Sequence, residues 1–240
     1  SVHCQAHRGL AQICRRKVVP FNIKSEISAL SGLVASCNGM IFPDSPQQTL
    51  LTGDGSYTDV TSVACYLFDL LKQQNDEGTY YPLLGIGFGM QLMLMCLEQV
   101  GGQATSVSFT NSYSQKLEFT NEATNAALYD SFIGGCITNF QKTTPVHYFK
   151  HTDVIYSSRY AEGSDFYNNW EVLAHAYNSG TKFIAAMEGK YFPFYGTEFN
   201  LELKVYEVTV DNPSNENTSD LESSTDSVSR YLLHYFVLEA

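Results

Sequence analysis

The segment YPLLGIGFGMQ (81–91) constrains the fold of this chain more than any other stretch. Its first part, YPLLGI (81–86), is a nearly continuous apolar run of the kind that forms a strand buried on both faces. Glycines then mark a tight turn, and MQLMLMCLEQV (90–100) has the composition of a buried helix. A strand that turns at once into a helix is typical of a sheet with helices packed on its faces.

Strand and helix patterns alternate through the N-terminal part of the chain. Helices are predicted at 3–15, 24–34 and 58–75, and short apolar strands at 17–21 and 39–43. This alternation predicts a mainly parallel sheet covered on both faces. The later strands look shorter and more polar, which favours an antiparallel extension; they are predicted at 105–109, 116–119, 171–177, 183–189 and 193–199. A last helix is predicted at 226–238.

Length and composition fit a single globular domain over residues 1–240, with 44% hydrophobic and 16% charged residues. A net charge of −11 repels phosphate backbones and anionic lipid surfaces, so no nucleic acid is expected as a partner. Membrane insertion is not expected either, because the longest nearly apolar run, 82–97, contains three glycines and Gln91. The expected partners are neutral or basic proteins.

The cysteines and one polar segment say little about chemistry. No C-x-x-C pair occurs, so neither a structural metal nor a thioredoxin-type motif is expected, and any disulfide pairing stays open; the cysteines are Cys4, Cys14, Cys37, Cys65, Cys96 and Cys136. Residues 211–227 are acidic and rich in serine and asparagine, which predicts a flexible solvated loop. Within this loop, Asn217 begins a sequon that would suit a secreted glycoprotein.

The glycine turn has the form of a nucleophile elbow, in which a strand-to-helix turn exposes one side chain at the helix N-terminus. A thiol at that apex would gain from the helix dipole. Here the apex is Gly87, which has no side chain. Two other interpretations remain: a turn kept small for packing, and a phosphate-binding loop. The dinucleotide fingerprint, however, needs a glycine where Met90 stands.

Two long segments, 38–91 and 183–202, resemble the gamma-glutamyl hydrolase family. The resemblance implies an α/β fold of the class I glutamine-amidotransferase-like (flavodoxin-like) type, a three-layer sandwich with a mainly parallel central sheet and an antiparallel extension. It also implies omega or gamma-glutamyl peptidase activity, no cofactor, and a secreted or lysosomal protein that could form a homodimer. The family's first strand lies before the helix at 3–15, so it is expected upstream or from another chain.

Three parts of the family's site differ in this chain. The family's elbow reads G-T-C-x-G, and Gly87 stands at the place of the nucleophilic cysteine. In the family's W-H-P-E segment, Asn200 replaces the catalytic histidine, while Glu202 matches the acid that orients it. The family's F-P-G-G turn is Phe42-Pro43-Asp44-Ser45 here, which places a negative charge at the oxyanion-hole turn.

The leading hypothesis is therefore a catalytically inactive hydrolase-like pseudoenzyme that serves as a structural or interaction subunit, since neither glycine nor asparagine can replace the lost groups. A second hypothesis is a non-catalytic pocket that still binds gamma-glutamyl ligands. The residues proposed for this remnant pocket are Asp44, Ser45, Phe88, His147 and Glu202. A third is an active or residual folate polyglutamate hydrolase that takes its nucleophile from elsewhere.

The remaining candidate residues favour ordinary structural roles. Cys96 lies nine residues beyond the elbow and is expected in the core. His151 is an alternative to His147 in the remnant pocket, although both also fit surface or capping positions. His175 lies within a strand pattern and is expected to be packed. The basic run 15–17 is expected to be a solvated helix end, and no metal site is expected.

Overall fold

The computed structural model describes residues 18–22, 27–45, 48–98, 113–115, 117–130, 147–149, 154–178, 180–201 and 231–240. Eight strands occur there: β1 (Met40–Phe42), β2 (Leu83–Ile86), β3 (Tyr113–Gln115), β4 (Glu118–Phe119), β5 (His147–Phe149), β6 (Trp170–Asn178), β7 (Thr181–Gly189) and β8 (Phe194–Thr197). Six of them form one sheet in the order β1-β2-β8-β7-β6-β4, and β3 pairs with β5 in a second sheet.

The described helices are α1 (Ile27–Ala35), α2 (Asp59–Asp76), α3 (Phe88–Glu98), α4 (Ala127–Asp130), α5 (Asp165–Asn169) and α6 (231–239). Short 3₁₀ turns lie at Glu122–Thr124 and Ser157–Arg159. The longest helix, α2, begins after Thr58, whose hydroxyl accepts a hydrogen bond from the backbone N–H of Thr61 and so caps the first turn. None of the described helices is long and apolar enough to span a bilayer.

The main sheet has a parallel half and an antiparallel half that meet at β8. The strands β1, β2 and β8 run parallel, with Met40 beside Leu83 and Leu83 beside Phe194. From β8 onward β7, β6 and β4 follow in antiparallel pairs. In a parallel set, the carboxyl ends of β1, β2 and β8 lie at one edge of the sheet, and this edge carries the elbow.

Helices cover both faces of this sheet, which gives three layers. On one face α1, α2 and α3 pack against the strands through a cluster that includes Leu30, Leu71 and Met93. On the other face α6 and the segment around α4 form a second cluster with Leu232, Phe236 and Tyr129 among its members. Every residue of β2 is buried, as expected for a strand covered on both sides. The expected three-layer α/β sandwich is therefore confirmed.

A disulfide joins Cys65 of α2 to Cys96 of α3, so the pairing that the sequence left open includes these two cysteines. Cys96 is buried, in agreement with its expected core position. The described free cysteine is Cys37. The cross-link ties the helix that begins at the elbow to the helix beside it.

Several sequence-based boundaries need correction. Residues 18–22 contain no strand, in contrast to the strand predicted at 17–21, and Pro20 lacks the N–H that a central strand would use. Two of the antiparallel strands are not shorter: β6 and β7 have nine residues each, and the middle of β7 is buried. The strand predicted at 193–199 pairs parallel to β2 as well as antiparallel to β7.

Other expectations concern residues outside those described. These are the helix at 3–15, the strand at 105–109 and the acidic loop at 211–227. The single-domain organisation over 1–240 and the position of the family's first strand accordingly stay predictions.

Candidate active-site elbow

The elbow is a one-residue turn between β2 and α3. β2 ends at Ile86, Gly87 has a φ of 54°, and α3 begins at Phe88. The Gly87 N–H donates to the Thr197 carbonyl of β8 at 2.7 Å, which fixes the turn to the sheet. This positive φ is strained for a residue with a side chain and is the conformation of a nucleophile elbow. The helix thus starts two residues earlier than the sequence pattern predicted.

Gly89 lets the first turn of α3 approach β1 closely. A Cβ placed on Gly89 would lie 1.9 Å from the carbonyl oxygen of Phe42 and 2.6 Å from its carbonyl carbon. Backbone cannot yield as a flexible side chain can, so a side chain at this position would push the helix off the strand. The glycines of this turn therefore serve packing as well as the turn itself.

The carboxylate of Asp44 lies directly over the elbow. Its Oδ1 accepts a hydrogen bond from the Phe88 backbone N–H at 3.0 Å, and its Oδ2 accepts one from Asn200 Nδ2 at 2.6 Å. A Cβ placed on Gly87 would lie 2.5 Å from the same Oδ1. The carboxylate thus takes the place that an apex side chain would need, and we call this pair of hydrogen bonds the Asp44 latch.

Asn200 is buried at the latch with 3% of its surface exposed. Its Oδ1 is also buried and has no hydrogen-bond partner among the described residues. The opposite amide orientation would point this oxygen at the carboxylate, where two acceptors would repel each other. The side chain is therefore oriented to donate to Asp44.

The negative charge of Asp44 meets neutral donors and the N-terminus of α3. A carboxylate in the first turn of a helix is stabilised by the helix dipole and by charge-assisted hydrogen bonds. Two ion pairs in the described part of the chain, Lys182 with Glu118 and Lys190 with Glu171, do not involve Asp44.

Four of the residues singled out from the sequence come together here: Gly87, Asp44, Phe88 and Asn200. Ser45 is half-buried, and its carbonyl accepts the Gln48 N–H at 3.0 Å.

Among the other residues proposed for the pocket, His147 lies on a described strand. His147 begins β5 and is in register with Gln115 of β3, in the small second sheet. Glu202, His151 and Asn217 lie outside the described residues. Their proposed roles stay predictions.

Sequence reasoning missed a buried polar pair beneath the elbow. Gln91 Nε2 donates to Glu198 Oε1 at 2.7 Å, and the two residues are 2% and 0% exposed. Glu198 follows β8, and its N–H donates to the Ala185 carbonyl of β7 at 2.9 Å. A signal was present, because Gln91 is a polar interruption in an otherwise apolar helix segment. The pair links α3 to the centre of the sheet.

A second polar contact lies on the antiparallel half. Ser157 Oγ and His175 Nδ1 are 2.9 Å apart, and both residues are half-buried. Burial, and then the positive charge of Lys182, lower the pKa of His175. His175 is therefore packed as expected, but it also has a hydroxyl partner that the sequence did not suggest.

The acid nearest to this imidazole along the sheet is already engaged. Glu118 opposes His175 across β4 and β6. Its carboxylate accepts from the Tyr177 hydroxyl at 2.5 Å and from Lys182 Nζ at 3.4 Å. Glu118 therefore bonds to its own neighbours rather than orienting the ring as a triad acid would.

The described residues of the elbow offer hydrogen-bond donors and a carboxylate but no nucleophile. Cys96 is held in its disulfide and cannot attack a carbonyl. No group of three or more His, Cys, Asp or Glu side chains in the described ranges could hold a metal ion. The arrangement can bind and orient a carboxylate group, since its donors converge on the carboxylate of Asp44.

The most informative similarities are to gamma-glutamyl hydrolases. The chain is 22% identical over 226 residues to gamma-glutamyl hydrolase from Homo sapiens, covering 93% of this chain and 66% of that protein. It is 20% identical over 191 residues to gamma-glutamyl hydrolase from Bos taurus, covering 80% of this chain and 57% of that protein. The chain thus spans less than two thirds of the length of these relatives. No protein-family model matches it.

Among solved structures, a GMP synthase component from Thermoplasma acidophilum matches with a TM-score of 0.46 and 14% identity, over 87% of this chain and 75% of that one. The sheet itself is more informative, because a parallel core, an elbow between β2 and α3, and an antiparallel extension occur together. The chain is therefore similar in sequence to gamma-glutamyl hydrolases, and its described sheet has the mixed α/β architecture expected of a class I glutamine-amidotransferase-like fold.

Proposed function

We propose that this chain does not hydrolyse gamma-glutamyl bonds and that it serves as a structural or interaction subunit. The observation that carries the proposal is the Asp44 carboxylate over Gly87, in the place that a nucleophilic side chain would occupy. Acyl transfer through a covalent intermediate needs an attacking atom at this apex. Glycine has none, and Asp44 fills the space.

The other groups around the elbow support the same proposal. An asparagine at position 200 cannot take up a proton and return it near neutral pH. The Phe88 N–H, which would stabilise an oxyanion, already donates to Asp44. Removing the members of a nucleophile–base pair lowers turnover by roughly 10⁴ to 10⁶ in a well-studied hydrolase. With several of these parts altered, turnover of a gamma-glutamyl substrate is expected at the uncatalysed rate.

A secreted or lumenal location belongs to the same proposal. Disulfides persist mainly in oxidising compartments, and the Cys65–Cys96 disulfide joins α2 to α3. The resemblance to gamma-glutamyl hydrolases points the same way, and glycosylation at Asn217 would fit it. For partners we propose a protein surface of neutral or basic character, because the chain has a net charge of −11. The homodimer that the resemblance implies is a separate proposal, because its partner would carry the same net charge of −11.

An assay of poly-gamma-glutamyl folate cleavage tests the proposal. The wild-type chain, a mock preparation and an authentic gamma-glutamyl hydrolase are incubated with the same substrate, and product glutamate is measured. The wild type is expected to match the mock preparation. Turnover above the mock would contradict the proposal. Loss of that turnover in Ser157→Ala would assign it to the hydroxyl beside His175, and its persistence would assign it elsewhere in the chain.

A further inference from the structure

We propose that the elbow is a carboxylate-binding site that the chain fills from within, using the side chain of Asp44, and that a small free carboxylate occupies it when this side chain is removed. The inference concerns the same site as the proposed function and rests on the absence of a nucleophile there. It adds a ligand class, namely a planar monoanion such as formate, acetate or the carboxylate of a chain terminus.

The donors form the site. One carboxylate oxygen of Asp44 receives the Phe88 backbone N–H at 3.0 Å, and the other receives Asn200 Nδ2 at 2.6 Å. The first donor lies at the N-terminus of α3, a helix of 11 residues, where the helix dipole favours an anion. Each oxygen thus has its own donor, which suits a carboxylate held through both oxygens.

The burial and orientation of Asn200 support the same site. This side chain is 3% exposed, and its buried Oδ1 has no hydrogen-bond partner within the described ranges. Leaving a buried amide oxygen without a donor destabilises the fold. The amide nevertheless points its N–H group at the anion. A charge-assisted hydrogen bond to a carboxylate accounts for this orientation, and the side chain is therefore aimed into an anion site.

The space for the anion comes from the missing side chain at the apex. A Cβ on Gly87 would approach Asp44 Oδ1 to 2.5 Å and Cγ to 2.7 Å. The carboxylate and an apex side chain therefore exclude each other. Both described donors to Asp44 are neutral, so a single negative charge fits better than a phosphate dianion.

Removing the internal carboxylate tests the inference. The full chain carrying Asp44→Ala is titrated with sodium formate against sodium chloride at equal ionic strength. Binding is followed by the ¹H–¹⁵N shift of the Phe88 amide and by the midpoint of thermal unfolding. Formate is expected to shift this amide and raise the midpoint of the variant in a saturable manner. In the wild type, competition from the tethered Asp44 is expected to weaken formate binding by at least about tenfold.

A matched control removes a carboxylate elsewhere. Asp69→Ala, at an exposed position of α2, is expected to respond to formate as the wild type does. An equal formate response in all three proteins, or no saturable response of Asp44→Ala, would overturn the inference. If Asp44→Ala folds poorly, its refolding yield is measured instead. Rescue by formate but not by chloride supports the site, and the absence of such rescue refutes it.

The two proposals fail in different experiments. Turnover of a polyglutamyl substrate by the wild type contradicts the proposed function but says nothing of formate. A missing formate response removes the carboxylate site, whereas the hydrolysis assay is unaffected.

Discussion

The elbow at the end of β2 and the Ser157–His175 contact on the antiparallel half each have one feature of a catalytic site that the other lacks. The elbow has the backbone of a catalytic site, with a positive φ at Gly87 and a helix N-terminus beside it, but no reactive side chain. The second site has a hydroxyl 2.9 Å from an imidazole nitrogen. That imidazole lies on β6, three strands away from β2 in the sheet order.

The difference separates two requirements of acyl-transfer chemistry. A nucleophile and a base must contact each other, and preorganised donors must face the charge that develops on the substrate oxygen. In this chain the donors are at the elbow, where Asp44 occupies them, and the hydroxyl–imidazole pair is elsewhere. Packing alone can therefore hold the elbow in this conformation without a nucleophile at its apex.

The largest expected effect concerns the close packing of the elbow against β1. Gly89→Ala forces a Cβ against the Phe42 carbonyl, where it would lie 1.9 Å from the oxygen. Because backbone meets backbone, we expect a loss of about 3 kcal/mol or more in the free energy of unfolding, measured by urea denaturation.

The matched control for this change is Gly32→Ala. Gly32 lies in α1, and a Cβ there has nothing within 4 Å. Alanine is the better helix former, so this variant should gain up to about 1 kcal/mol. If the two variants change the free energy of unfolding by similar amounts, close packing against β1 does not stabilise the elbow.

An intermediate effect is expected for the link between Gly87 and Asp44. In a double-mutant cycle, Gly87→Ala should cost less in the Asp44→Gly background, because the added Cβ no longer meets a carboxylate. We expect a coupling free energy of about 1 kcal/mol from chemical denaturation.

Gly55→Ala is the control for backbone strain in that cycle. Gly55 has a φ of 83°, and a Cβ placed there has nothing within 4 Å. Gly55→Ala therefore introduces backbone strain without a contact between the new methyl group and a neighbour. The loss in the free energy of unfolding caused by Gly55→Ala should be the same with and without Asp44→Gly. Additive costs for Gly87→Ala as well would sink the idea that the carboxylate and the apex side chain exclude each other.

The smallest expected effect concerns the contribution of His175 to the pH dependence of stability. Burial and Lys182 lower the pKa of His175, so the unfolded chain holds the proton more tightly than the folded one. Stability should therefore fall as the pH drops below about 6.5, the ordinary histidine pKa, until the folded-state pKa is passed. NMR titration should place the His175 pKa below the ordinary value, and Lys182→Met should raise it.

Two variants check this assignment. His175→Gln should remove part of the pH dependence of the unfolding free energy between pH 8 and 5, an interval chosen around the ordinary histidine pKa of about 6.5. His234→Gln, at an exposed position of α6, serves as the comparison. An unchanged pH dependence in His175→Gln would contradict the role assigned to this imidazole.

Local sequence was enough to predict the strand and helix around the elbow and the absence of a side chain at Gly87. The buried run of β2, the glycine turn and the apolar α3 could be predicted because burial on both faces and a one-residue turn leave strong local patterns. Asp44, Gly87 and Asn200 could be singled out by resemblance. Strand lengths were predicted less well, since pairing between distant segments decides where β6 and β7 end.

What only the tertiary structure decided is which side chains meet. Asp44 and Asn200 are 156 positions apart, and they touch only because the chain around β1 and the chain after β8 reach the same edge of the sheet. The same holds for Cys65 with Cys96 and for Ser157 with His175. By itself the sequence determined that no side chain stands at position 87. The fold determined that a carboxylate fills the space, because contacts between remote segments depend on strand order and not on local pattern.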